Sequence, residues 1–193
     1  MNKKQQAELA FWKDLYEREG PVSFTMWRMR DANDILRHFP ELGDEAGVGL
    51  EVGTGLVSVF EYIGDDSLIA SIDPLQLHYE KIYTPDNSDI IYRNDSGESI
   101  GLDDEYFDWV ACINTIDHTL NSRKMLAEIY RVLKPGGRLY FQVNFDDQLT
   151  APHYTKWSTF HVELALAYFT LIRAEIERRD EHNQYRYWGV YQK

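Results

Sequence analysis

The chain has 193 residues and a formal net charge of −12, long enough for one domain with a substantial core and with no need of a second. So acidic a surface repels phosphate backbones and anionic lipid, which disfavours nucleic acid and membranes and leaves small molecules as the expected partners. The single cysteine, Cys112, lies in an apolar run, there is no apolar leader, and no stretch approaches the roughly 18 apolar residues of a membrane span; the expectation is a reduced, cytoplasmic protein.

Residues 4–19 place Ala7, Phe11, Trp12, Leu15 and Tyr16 three and four positions apart, the spacing of an amphipathic helix, and Gly20-Pro21 is expected to end it. Residues 23–30 (SFTMWRMR) mix Met26, Trp27 and Met29 with Arg28 and Arg30. They read either as a core aromatic between solvated charges or as a lid over a pocket. A helix over 31–39 follows, stopped by Pro40. Residues 1–40 therefore form a helical extension, and a candidate lid, inside a single domain spanning 1–193.

The central stretch is Gly47 to Val57 (GVGLEVGTGLV). It reads as a buried strand over 48–52, a tight turn with Gly53 and Gly55, and a helix over 56–63. Such a turn brings backbone N–H groups to a nucleotide-sized space. A second strand over 67–72 ends at Asp73-Pro74, because proline cannot donate to a ladder. A helix over 75–83 and a third strand over 90–93 come next. An acidic loop over 94–105 leads to a fourth strand over 106–113, whose unbroken apolar run suits a sheet covered on both faces. A helix over 122–133 ends at Lys134-Pro135-Gly136-Gly137, and a fifth strand covers 138–145. After a loop with Asp146, Asp147, His153 and Tyr154, a helix over 158–168 precedes strands over 170–179 and 184–192, close enough in sequence to form an antiparallel hairpin. The alternation of strands and helices predicts an α/β fold with a mostly parallel sheet.

In such a sheet ligands bind beyond the carboxyl ends of the strands. Those ends carry Glu51, Gly53, Thr54 and Gly55; Asp73; Asp95, Ser96, Gly97 and Glu98; Asn114, Asp117 and His118; and Asp146 with Asp147. Asp73 is placed to accept hydrogen bonds from ribose hydroxyls of a nucleotide lying on the glycine turn. His118, oriented by Asp117, is the candidate general base, while the same pair also suits the entrance to the helix that follows. Trp27, Arg28, His153 and Tyr154 are candidate substrate contacts. Asp117, His118, Asp146 and Asp147 could converge on a cation, but no paired histidine or cysteine spacing supports a metal and none is expected.

At this point the chain resembles the class I S-adenosylmethionine-dependent methyltransferases. The resemblance rests on Glu51-Val-Gly-Thr-Gly55, Asp73, Tyr106-Phe107-Asp108-Trp109-Val110, and Glu128-Ile-Tyr-Arg-Val-Leu-Lys-Pro-Gly-Gly-Arg138-Leu, in that order between about residues 47 and 145. It implies a Rossmann-like three-layer sandwich whose seven-stranded sheet has the order 3-2-1-4-5-7-6 with the last strand antiparallel. It also implies S-adenosylmethionine as cofactor, S-adenosylhomocysteine as product, and a small-molecule O- or N-nucleophile, a sugar among the options, as acceptor. Glu51, Gly53, Thr54 and Gly55 would line the methionine part, Asp73 the ribose, Asp95 to Glu98 the adenine, and Asn114 the methionine amino group. The family often has a further glycine where this chain has Val57. A homodimer is left open.

Two rival readings stand beside it. A methyltransferase-like domain could bind cofactor or partner without catalysis. A nicotinamide-dependent oxidoreductase is the other, because Gly53-x-Gly55-x-x-Ser58 and Tyr130-x-x-x-Lys134 match dehydrogenase patterns. The expected position of Tyr130 and Lys134, at the helix end away from the ligand edge, argues against it.

Overall fold

The computed structural model describes residues 1–63, 67–85, 89–145, 156–179 and 184–193. Helix α1 spans Lys3–His38. It starts where Asn2 accepts a hydrogen bond from the Gln5 N–H and the Gln5 side chain accepts one from the Asn2 N–H, a reciprocal cap. The expected stop at Gly20-Pro21 is instead a kink. Gly20 adopts φ +73°, and Pro21, whose missing N–H needs no partner in a first turn, opens a second helical arm. That arm takes up the SFTMWRMR stretch as helix and runs on to a 3₁₀ turn at Pro40–Gly43.

Strands β1 (Val48–Val52), β2 (Leu68–Ile72), β3 (Ile90–Arg93), β4 (Phe107–Ile113), β5 (Leu133–Phe145), β6 (Thr170–Arg178) and β7 (Tyr185–Gln192) form one sheet in the order β3-β2-β1-β4-β5-β7-β6. All neighbours are parallel except β7, which is antiparallel to both β5 and β6. This is the Rossmann-like sheet order the resemblance implies. Two other helices, α2 (Gln76–Tyr79) and α3 (Ser122–Val132), lie between strands, and α4 (Thr159–Ala165) precedes β6.

One expectation fails in an informative way. In the β1 to β2 crossover the stretch read from sequence as a helix over 56–63 holds instead a 3₁₀ turn at Val59–Glu61, the one helical turn among the crossover's described residues. Parallel neighbours need a long crossover, but that crossover need not be helical. Its apolar residues, Val59, Phe60 and Ile63, still pack on the sheet beside Ile69, Trp109, Ala111 and Tyr140. What completes that face is the second arm of α1, through Ala32, Ile35 and Phe39. The opposite face is covered by α3 and α4 through Met125, Leu126, Ile129 and Val162. A third cluster joins the two arms of α1 to the glycine turn: Trp12, Leu15 and Phe24 pack with Leu56, Val57, Leu75 and Tyr79. Val57, the departure from the family pattern, is fully buried there and serves as a seat for α1.

Candidate functional site

The sequence of β1 ends in two glycines because the chain must reverse there. Gly53 has φ +82° and Gly55 has φ +66°, a left-handed region open to glycine at little cost. There is also no room for a side chain. A Cβ on Gly53 would sit 2.1 Å from Cγ2 of Thr115, and one on Gly55 would sit 2.5 Å from Cζ2 of Trp12. Asp73, at the tip of β2, braces the turn: its Oδ2 accepts from the Gly55 N–H at 3.1 Å and its Oδ1 from the Leu75 N–H at 2.8 Å. Thr54 is tied to Ser71 at 2.6 Å, and Ser71 in turn donates to Glu51.

Glu51 and Asp73 are both buried carboxylates. Desolvation pushes the Glu51 carboxyl above its ordinary range despite hydrogen bonds from Ser58 and Ser71. Asp73 is pushed up to about 7, first by desolvation and further by the nearby charges of Glu8 and Glu51, with the two backbone N–H groups pulling the other way. Among the described residues no ion pair to Asp73 offsets that cost.

The turn opens on a cavity of about 460 Å³ that runs beneath α1. Its near end is lined by Glu51, Gly53, Thr54, Gly55, Asp73, Ser96, Gly97 and Glu98. Its other wall is formed by Asn114, Gln142, Asn144 and Trp188 from the sheet with Trp27, Arg28 and Asp31 from α1. Of the residues singled out from sequence, the structure thus brings together Glu51, Gly53, Thr54, Gly55, Asp73, Ser96, Gly97, Glu98, Asn114, His118, Trp27 and Arg28. Asp95 is turned away, accepting a hydrogen bond from Arg93 Nε at 2.9 Å. Asp117 is buried behind His118 and does not line the space. His153, Tyr154, Asp146 and Asp147 lie outside the described residues. Tyr130 and Lys134 do not reach the cavity: Tyr130 packs on Phe169, and Lys134 pairs with Asp108 at 2.7 Å.

Glu8 and Lys4 line the cavity without having been singled out from the sequence, while Glu98 and Arg28 were. Glu8 of α1 accepts from Trp12 Nε1 at 2.7 Å and meets His118 Nδ1 at 3.1 Å. Burial would lower the His118 pKa, but the hydrogen bond to Glu8 and the charges of Asp117 and Glu8 outweigh it and raise the value. Lys4 donates to the Thr119 carbonyl at 2.8 Å, so the first arm of α1 is clamped to the segment after β4. Glu98 accepts from the N–H groups of Leu120 and Asn121 at 2.7 and 2.6 Å, capping the approach to α3 as well as lining the cavity. Arg28, buried between the rings of Trp12 and Trp27, donates to the Val57 carbonyl. An amphipathic pattern places such residues on a helix but does not show which side chains face a cavity in the neighbouring sheet.

Residues 50–141 match a sequence-family model described as a methyltransferase domain. No curated protein sequence matches. Among solved structures, a methyltransferase dependent on S-adenosylmethionine from Aquifex aeolicus is similar at TM-score 0.66 and 18% identity, with 98% of this chain and 99% of that one covered. The 1,6-didemethyltoxoflavin-N1-methyltransferase of Burkholderia thailandensis, solved with its substrate and S-adenosylhomocysteine, is similar at TM-score 0.64 and 15% identity, with 100% and 91% covered. The [4+2]-cyclase SpnF is similar at TM-score 0.68 and 13% identity, with 86% and 80% covered. Residues 50–141, just under half of the chain, thus match a methyltransferase domain, and the sheet has the fold of these solved structures. Among the described residues, no helix is long and apolar enough to cross a membrane.

Proposed function

We propose that the chain transfers the methyl group of S-adenosylmethionine to a small-molecule acceptor. The observation that carries this reading is the continuous cavity from Asp73 and the glycine turn to Asn114, Gln142 and Trp188. One end has the buried carboxylate suited to a ribose, and the other has space and polar groups for a second ligand. Glu51, Gly53, Thr54 and Gly55 would lie along the methionine part, Asp73 under the ribose, Ser96 to Glu98 beside the adenine, and Asn114 near the amino group.

The cofactor supplies an electrophilic methyl on a sulfonium. The acceptor's lone pair forms the new bond to that carbon as the carbon–sulfur bond breaks and its electron pair passes to sulfur. The protein's part is to hold the two in line and exclude water, which the α1 cover serves. For a hydroxyl acceptor, His118 takes the proton, with Asp117 and Glu8 stabilising the imidazolium. Its contacts with Glu8 and Asp117 favour the charged ring, so the base becomes competent on the alkaline side of an ordinary histidine. A small-molecule acceptor accords with the net charge of −12 and with a cavity of about 460 Å³.

Calorimetric titration with S-adenosylmethionine, S-adenosylhomocysteine and NADH tests the reading. Micromolar binding of the sulfur cofactors with no response to NADH is expected; the reverse would overturn it. Because the same fold also carries a cyclase, methyl transfer must then be followed directly, from radiolabelled cofactor into an acceptor panel. Tight cofactor binding without turnover on any acceptor would favour the non-catalytic reading.

A further inference from the structure

We infer that β6 is a dimer interface: two copies of this chain pair their β6 strands antiparallel about a two-fold axis at Ala174, so that the two sheets run on as one. This is independent of the methyl-transfer reading.

β6 ends the sheet, with β7 on one side and no strand among the described residues on the other. Such an edge presents unpaired N–H and C=O groups, and chains commonly blunt it with proline, lysine or a very short strand. β6 has none of these: Thr170–Arg178 runs for nine residues without proline or lysine. Its one irregularity is a register shift between Leu171 and Arg173, and from Arg173 to Arg178 the pairing with β7 is regular.

The backbone decides which groups face the free edge. Arg179 donates its N–H to the Gln184 carbonyl opposite at 2.8 Å, and the same register continues through Glu177↔Arg186, Glu175↔Trp188 and Arg173↔Val190. Alternate residues of an antiparallel strand bond to the same neighbour. Arg173, Glu175 and Glu177 therefore bond to β7, while Ala174 and Ile176 turn their N–H and C=O groups outward. A two-fold pairing that sets outward groups opposite one another centres on a single residue. Centred on Arg173 or Glu175, it opposes that charge to itself, and centred on Ile176 it opposes Glu175 to Glu177. Centred on Ala174, it opposes Arg173 to Glu175 twice over and Ile172 to Ile176 twice over. Like charges directly opposite destabilise a pair of strands, and opposite charges and β-branched pairs stabilise it. The strand is complementary to itself, which makes a second copy the occupant.

Both faces of β6 suit that pairing. Towards α1, Arg173 pairs with Glu41 at 2.8 Å and Glu175 with His38, yet their side chains stay 37% and 49% exposed, open to a second partner. Towards α3 and α4, Ala174 and Ile176 lie opposite Gly189 and Tyr187, and Tyr187 belongs to the core on that side. Ile172 and Ile176 are each 51% exposed, and a neighbouring strand would cover them. On this side α4 also exposes Phe160 and Leu164, one turn apart, which widens the apolar surface.

Sedimentation velocity of the full chain over about 1 to 500 µM tests the interface, with the melting temperature of each variant as a folding control. The wild type is expected to pass from monomer to dimer within that range. Arg173→Glu and Glu175→Arg each set like charges opposite one another twice in the dimer, and each alone should weaken self-association at least about tenfold. An equimolar mixture of the two variants should dimerise again, because each then meets its opposite charge across the axis. Ile176→Lys, on the other face, should weaken the dimer by a similar factor. A wild type that stays monomeric throughout, a dimer that the single reversals leave intact, or a mixture that fails to recover overturns the assignment. Arg173 and Glu175 also hold α1, so if a reversal lowers the melting temperature, Ile176→Lys decides, and unchanged association in that variant overturns the interface.

Discussion

The ring of Trp12 rests on Gly55, with Cζ2 only 2.5 Å from where a Cβ would stand. The first arm of α1 is thereby fitted directly to the turn that the cofactor is expected to occupy, and Glu8, one helical turn before Trp12, carries the same arm to His118.

Gly55→Ala should therefore fail twice over. The left-handed φ costs about 1 kcal/mol for a non-glycine residue, and the methyl group must displace the indole at a further cost of about 1 to 3 kcal/mol. We expect a fall in melting temperature together with at least tenfold weaker S-adenosylhomocysteine binding. Calorimetry checks both, and intact affinity would show that Trp12 does not shape the cofactor end.

Asp73 gives a pH signature. Its folded-state pKa, about 7, lies above that of an exposed aspartate because the carboxyl is desolvated. From about pH 4 to about pH 7 the folded chain keeps a proton that the unfolded chain has lost. The group's contribution to stability thus falls as pH rises through that window and levels off above it. The effect is on the order of a few kcal/mol, and Asp73→Asn should flatten that part of the melting-temperature profile between pH 5 and 8. Ribose hydroxyls would favour the charged carboxylate, so binding of S-adenosylhomocysteine at pH 6.5 should release a proton. The observed binding enthalpy should then vary with the ionisation enthalpy of the buffer.

His118→Gln should lower turnover on a hydroxyl acceptor by about a hundredfold, within the usual range for a general base, and leave cofactor affinity unchanged. The hydrogen bond that His118 donates to Glu8 and the charges of Asp117 and Glu8 raise the His118 pKa against the pull of burial. Glu8→Gln should therefore move the acid limb of the kcat profile to lower pH. A limb that stays in place would detach Glu8 from the proton's path.

Arg28 joins α1 to the glycine turn through the Val57 carbonyl and pairs with Asp31 at 3.3 Å. Arg28→Met leaves the Val57 carbonyl without its donor and partly exposed Asp31 without its ion pair, and should cost about 1 to 3 kcal/mol, a melting-temperature loss of roughly 2 to 12 °C for a chain of this size. Thermal denaturation measures it directly. A change below about 2 °C would mean that solvent replaces the arginine.

Strand boundaries were readable because period and punctuation agree: β1 and β3 lie where the apolar runs end at Gly53 and Asn94. Asp73 was readable because proline ends β2 beside it. The second arm of α1 was readable only in its later half, over 31–39; its start at Pro21 was not, since glycine and proline in succession normally mark an end, and here their φ preferences suit a kink. The crossover after Gly55 misled for a different reason. Its residues have helical spacing and are buried, but they are held by tertiary contacts with α1 instead of by their own hydrogen-bonded turns. Gln142, Asn144 and Trp188 carried no motif at all. They reach one cavity only through the pairing of β5 with β7, which does not exist before the chain is folded.

The 3₁₀ turn at Val59–Glu61 also changes what counts as the protein's irreducible piece. With no α-helix among the described residues of that crossover, Ala32, Ile35, Phe39 and Leu42 form much of the wall over β2, β4 and β5. A fragment cut to the recognisable limits of the family match, residues 50–141, would expose Trp109, Ala111 and Ile69 to water along one whole side of the sheet. Such a fragment should aggregate on expression, whereas one that starts ahead of Pro21 retains the native wall.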